Sequence, residues 1–116
     1  METEHALRAF MALSSRARLD VLRLLVRHAP DGLVVSEILA HIALSPSQLS
    51  FHLKALMQAG LLTVQTEGRF LRYRADLVRL RALSDFLTAE CCAGQPEQCG
   101  LAAEPSCDTS EPSIQP

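Results

Sequence analysis

Cys91, Cys92 and Cys99 are the side chains of this 116-residue sequence whose type and spacing best suit ligand chemistry. An adjacent pair is followed, after six residues that include Gly94 and Pro96, by a third thiol that this slack lets fold back. Three thiolates suit As(III) or Sb(III), thiophilic ions that take three sulfurs in a pyramid around a lone pair, and they suit other soft ions too. Adjacent cysteines close a disulfide only with strain, so a Cys91–Cys92 staple is unattractive. Two other readings stand beside this one. A four-cysteine zinc site would add Cys107, but such sites are built from C-x₂₋₄-C pairs and this spacing is absent. The thiols could also have no ligand role. Cys107, in the Pro- and Ser-rich end, is expected to be dispensable.

A second group lies on one helix. Ser45-Pro46-Ser47-Gln48 reads as a capping box with proline at the first helical position. The helix it opens is expected to reach Ala59, with Gly60 and Leu61 forming a Schellman ending. Leu49, Leu53 and Leu56 make its buried stripe, so Ser47, Gln48, Ser50, Phe51 and Lys54 are left on the outer side. A short helix over 35–43, separated by Leu44-Ser45, completes a helix-turn-helix. The outer set would then face a DNA major groove. A plain solvated face is the alternative, but Phe51 is costly to expose unless a thymine methyl or an apolar neighbour covers it. His52, at the edge of the stripe, is expected to be a hydrogen-bonded structural histidine. His5, His28 and His41 lack ligand spacing and read as surface residues.

The elements that must position these groups follow. Residues 4–13 and about 16–28 read as helices, the second with Leu19, Leu22 and Val26 at helical spacing. Leu61–Thr66 and Arg69–Arg74 read as strands joined at Glu67-Gly68, with Phe70, Arg72 and Arg74 sharing one face. A hairpin with a basic face directly after a helix-turn-helix is a winged helix. Arg69 is favoured as a DNA contact at its tip; for Arg72 and Arg74 contact and solvated edge are evenly balanced. Asp76 caps a last helix expected to run to about Cys91, with Leu77, Leu80, Leu83 and Leu87 as its stripe. The fold class is therefore mainly α with a small β-hairpin wing (α+β). Residues 1–92 form a DNA-binding and dimerisation domain, and 93–116 a Cys-containing, largely flexible acidic tail.

Composition supports this division. Apolar residues make up 48% and aromatics 4%, which favours helices with a modest core over a β-sandwich. The net charge of −2 is uneven: residues 1–89 carry all 11 Lys and Arg against eight acids, while 90–116 carry five acids and no base. A basic body can bind nucleic acid whatever the total. No apolar stretch approaches the roughly 20 residues of a membrane span, and the acidic start lacks a signal-like apolar run, so a cytoplasmic location is expected.

The runs Ala12-Leu13-Ser14-Ser15-Arg16-Ala17-Arg18-Leu19-Asp20-Val21-Leu22 and Leu49-Ser50-Phe51-His52-Leu53-Lys54-Ala55-Leu56, then Ala59-Gly60-Leu61-Leu62 and Gly68-Arg69 before Tyr73, resemble the ArsR/SmtB family. The resemblance covers about residues 5–90. It implies a winged helix repressor, homodimeric through its first and last helices, that binds double-stranded operator DNA and leaves it when an effector binds. The family's Cys-Val-Cys box is replaced here by Val34-Val35-Ser36. The last helix holds no histidine between Tyr73 and Cys91, which argues against the zinc and nickel sites of other relatives. Attention therefore falls on Cys91, Cys92 and Cys99, since a subset of arsenic repressors carries vicinal cysteines at the end of the last helix.

The function expected is a metalloid-responsive repressor with As(III) or Sb(III) as effector and no organic cofactor. Zinc, another soft metal or thiol redox could instead supply the effector. A protein-interaction winged helix without DNA binding would need an acidic or apolar recognition helix, and this one is polar with Lys54 on it. A thiol enzyme needs a cation or helix N-terminus beside its nucleophile, whereas the Cys91-Cys92 pair follows Glu90. No phosphate loop or catalytic His/Asp arrangement is present, so no enzyme is expected.

Overall fold

A computed structural model describes residues 1–89. The proposed tail, its boundary at residue 92 and all the cysteines lie outside these residues. In chain order the elements are α1 (Thr3–Leu13), α2 (Arg16–Arg27), β1 (Leu33–Val34), α3 (Val35–His41), α4 (Pro46–Gln58), β2 (Leu62–Glu67), β3 (Phe70–Ala75) and α5 (Leu77–Leu87). The antiparallel sheet runs β1-β3-β2. This is a mainly helical winged helix-turn-helix, as the sequence implies.

The core forms where helix stripes converge on the base of the sheet. Val21, Leu25, Ile38, Leu49, Leu56 and Leu61 are fully buried. Helix α2 turns Val21, Leu22, Leu24 and Leu25 inward, while Leu19 and Val26 stay exposed, so only Leu22 of the expected stripe is core. Helix α1 buries Ala6, Ala9 and Ala12. These methyl side chains let it lie close against α2 and α4, which leaves the larger Leu7, Phe10 and Met11 outward.

Strand β1 was not foreseen. Its two residues pair Leu33 with Tyr73 and Val34 with Arg72, so β3 becomes the central strand. Gly32 makes that approach possible. Its φ is +77°, and a Cβ there would collide with the Tyr73 carbonyl oxygen and come within 2.6 Å of Arg74 Cγ.

Local signals explain the ends of α4 and the start of α5. Ser45 Oγ accepts from the Gln48 N–H at 3.2 Å and Gln48 Oε1 accepts from the Ser45 N–H at 2.9 Å, closing the capping box. At the other end the Leu61 N–H reaches the Leu56 carbonyl at 3.0 Å and the Gly60 N–H that of Met57 at 2.9 Å, which is the Schellman pattern. Asp76 Oδ1 accepts from the Arg79 N–H at 3.0 Å and starts α5. That helix stops at Leu87, and the Thr88 N–H bonds back to the Asp85 carbonyl, so it does not run to Cys91. Within its expected stripe Leu83 is buried and Leu80 packs on the core, whereas Leu77 and Leu87 stay exposed, as does Val78 beside the stripe.

Candidate nucleic-acid interface

The capping box fixes the rotation of α4, and its leucine stripe fixes which side is seen. With Leu49, Leu53 and Leu56 buried, Ser47, Gln48, Ser50, Phe51 and Lys54 are all exposed on the remaining surface. Phe51 is 64% exposed. In the first turn Ser45 Oγ and Ser47 Oγ lie 3.3 Å apart, so cap and outer face are one hydrogen-bonded cluster. The Gln48 amide nitrogen has no hydrogen-bond partner among the described residues.

His52 departs from expectation. Its Nδ1 is buried and has no hydrogen-bond partner among the described residues, so this histidine is not satisfied. Its ring instead meets that of Phe51 edge-on, with centroids 5.5 Å apart.

The wing lies beside α4. Ser50, Lys54, Met57 and Gln58 of the helix and Tyr73 of β3 line one groove of about 390 Å³. Strands β2 and β3 pair from Leu62–Ala75 to Glu67–Phe70, leaving Gly68-Arg69 as a two-residue loop. Gly68 takes φ +61°, the positive value that tight hairpins need.

The three wing arginines divide by what they touch. Arg72 Nε donates to both Glu67 carboxylate oxygens at 3.0 Å, and its Nη1 donates to the Gly32 carbonyl at 3.1 Å. Arg74 Nε donates to the Pro30 carbonyl at 3.0 Å and its Nη1 to Gln65 Oε1 at 2.6 Å. Both therefore brace the hairpin against the segment before β1. Arg69 and Lys54 have no ion pair among the described residues and keep their charges open to solvent. The even balance for Arg72 and Arg74 thus moves toward a structural role, and Arg69 remains the wing's available cation.

The fold also joins groups the spacing did not. His28 and His41 meet edge to face with ring centroids 5.4 Å apart, and His41 Nδ1 sits 2.9 Å from the Glu37 carbonyl oxygen. Among the described residues no group of three or more His, Cys, Asp or Glu side chains is arranged to hold a metal. Sequence reasoning also passed over Phe70, which is 60% exposed at the wing tip. The alternation that puts it with Arg72 and Arg74 on the outer face is the signal that marks it.

Comparison with known proteins agrees with this geometry. Residues 13–65 match a helix-turn-helix domain family. An uncharacterized HTH-type transcriptional regulator of Bacillus subtilis, YbzH, is 33% identical across 70% of this chain and 93% of its own length. An ArsR-like transcriptional regulator from Rhodococcus is 30% identical, with a TM-score of 0.64 over 72% of this chain and 76% of that one. The homodimeric winged helix-turn-helix DNA-binding domain of Mycobacterium bovis Mb0332, a possible ArsR-family regulator, is 29% identical, with a TM-score of 0.59 over 75% and 81%. Fold and exposed recognition helix define a DNA-binding transcriptional regulator of the winged helix-turn-helix class. The chain belongs to the HTH-type transcriptional regulators of ArsR-like fold.

Proposed function

We propose that this regulator is a homodimeric repressor that holds operator DNA through α4 and the wing and releases it when As(III) or Sb(III) binds Cys91, Cys92 and Cys99. The observation that carries the DNA half is the exposed set Ser47, Gln48, Ser50, Phe51 and Lys54 on α4, with Arg69 open on the adjoining wing. Polar groups at the start of a recognition helix read base edges, and the cations hold phosphates.

Dimerisation is supported by apolar side chains that the protomer leaves uncovered on two neighbouring helices. Leu7, Phe10 and Met11 on α1, and Leu77, Val78 and Leu87 on α5, are exposed, with Met11 at 70% and Val78 at 82%. A second copy would cover them and set two recognition helices about 34 Å apart, one turn of DNA. A domain homodimeric in a relative points the same way.

The effector half is supported by the thiol chemistry of the sequence. In sequence Cys91 comes four residues after the end of α5, so a three-sulfur ring closed there would act on the helix expected to join the protomers. The test titrates arsenite and antimonite against labelled operator complexes. Wild type and Cys107→Ser release DNA; Cys91→Ser, Cys92→Ser and Cys99→Ser stay bound. Equal release by all of them removes the site, and no release by wild type removes the effector class. A chain that sediments only as a 12.7 kDa monomer at micromolar concentration removes the dimer.

A further inference from the structure

Phe70 is a large apolar side chain that the core of the protein leaves mostly uncovered. It follows directly after the Gly68-Arg69 turn, stands opposite Glu67, and is 60% exposed. It belongs neither to the buried core nor to the hydrophobic residues packed against that core. A phenylalanine at a hairpin tip forfeits burial energy that a polar residue would not have to give up.

Its base is nevertheless held firmly. Glu67, its cross-strand neighbour, receives both bonds from Arg72 Nε, and the other end of that guanidinium grips the Gly32 carbonyl. The strut continues to α3, where Glu37 Oε1 lies 3.9 Å from Arg72 Nη1. The residue before Phe70 is Arg69, the wing cation without an ion pair among the described residues.

An apolar side chain on a braced hairpin, next to an open cation, is what a minor-groove wedge requires. The cation is drawn to the concentrated negative potential of a narrow minor groove. The ring can then enter between two base pairs, and a firm base is needed because the wedge must displace their stacking. We infer that Phe70 is such a wedge: with Arg69 in the minor groove, its ring partly unstacks one base step and bends the operator. This rests on the reading of the wing as a DNA contact. It adds sequence selectivity without a hydrogen bond, because flexible pyrimidine–purine steps are the easiest to unstack.

The experiment uses the full chain and duplexes enriched by wild-type protein from a random-sequence library. 2-Aminopurine is placed at successive positions, and end-to-end energy transfer reports bending. Wild type should raise fluorescence at one step per half-site and bend the duplex by roughly 20–90°. Phe70→Ala should lose both signals and the preference for a pyrimidine–purine step, with affinity falling on the order of ten-fold. Phe70→Trp, which keeps a large apolar ring, should restore them. Circular dichroism should show both variants folded, since Phe70 is outside the core. A folded Phe70→Ala that unstacks and bends DNA like wild type overturns the wedge. So does a Phe70→Ala whose sedimentation shifts toward monomer, because the ring would then lie between copies of the chain. If wild type enriches no sequence, the DNA reading of the wing fails first, and that failure is visible separately.

Discussion

Gln48 serves two ends with one amide. Its Oε1 is engaged in the capping box at 2.9 Å, while its nitrogen has no partner among the described residues and sits on the outer side of the recognition helix. A glutamine that reads adenine uses both amide groups at once. With its oxygen drawn back to Ser45, Gln48 is better suited to donate one bond to a base-edge or phosphate acceptor. Gln48→Glu separates the two roles. A glutamate at this position keeps the cap and favours the positive end of the helix dipole, so stability in urea should hold or rise by about 0.3–1 kcal/mol. Operator affinity should fall, since the donor is gone and a negative charge faces DNA. Gln48→Ala should weaken both, with about 0.5–1.5 kcal/mol lost from folding. If Gln48→Glu holds operator as tightly as wild type in gel-shift titrations, the donor role is removed.

Among the elements, the wing shows how a strand can be fastened by charges whose sequence pattern fits DNA contact and solvated edge equally well. Arg72→Met should destabilise folding by about 1–2 kcal/mol, since it leaves Glu67 and the Gly32 carbonyl without their donor on a partly screened surface. Arg69→Ala should leave unfolding unchanged, lower affinity for all sequences, and flatten the dependence of log affinity on log salt by about one unit per protomer contact. Equal salt slopes for Arg69→Ala and wild type would place DNA elsewhere. The sequence announced α4 almost to the residue, because cap, leucine stripe and C-terminal glycine are all local signals. It could not announce β1, two residues whose strand character exists only through pairing with Tyr73 and Arg72. The end of α5 was equally hidden, since the leucine repeat meets no terminating glycine before Gly94. On α1 the alanines rather than the large residues are buried, because close helix packing rewards small side chains. The open set on α4 was legible from periodicity. The division among Arg69, Arg72 and Arg74 was not, as alternation gives the face of a residue but not its partner.

At the scale of the whole molecule, the question is how thiols beyond α5 could govern helices that hold DNA. The α1–α5 surface offers the link. Its uncovered apolar residues on a protomer of this size favour a second copy, and the spacing of the two recognition helices then depends on how the α5 helices pack. A metalloid that draws Cys91, Cys92 and Cys99 together would alter that packing only if it binds the DNA-free arrangement better than the DNA-bound one. A coupling of about 1–3 kcal/mol corresponds to roughly 5- to 150-fold weaker operator binding. Linkage makes this reciprocal, and reciprocity is the sharper test. Saturating operator should weaken arsenite binding to the full-length dimer by the same factor by which arsenite weakens operator binding. Calorimetric titration of arsenite into free dimer and into the operator complex measures one side, and operator titration with and without arsenite measures the other. Equal arsenite affinity in both states, alongside release of DNA, would break this cycle and mean that release follows from an irreversible change in the protein rather than from reversible metalloid binding. A matched pair of factors that disappears in Cys99→Ser would instead tie the switch to the third sulfur, the one that must fold back across Gly94 and Pro96 to close the site.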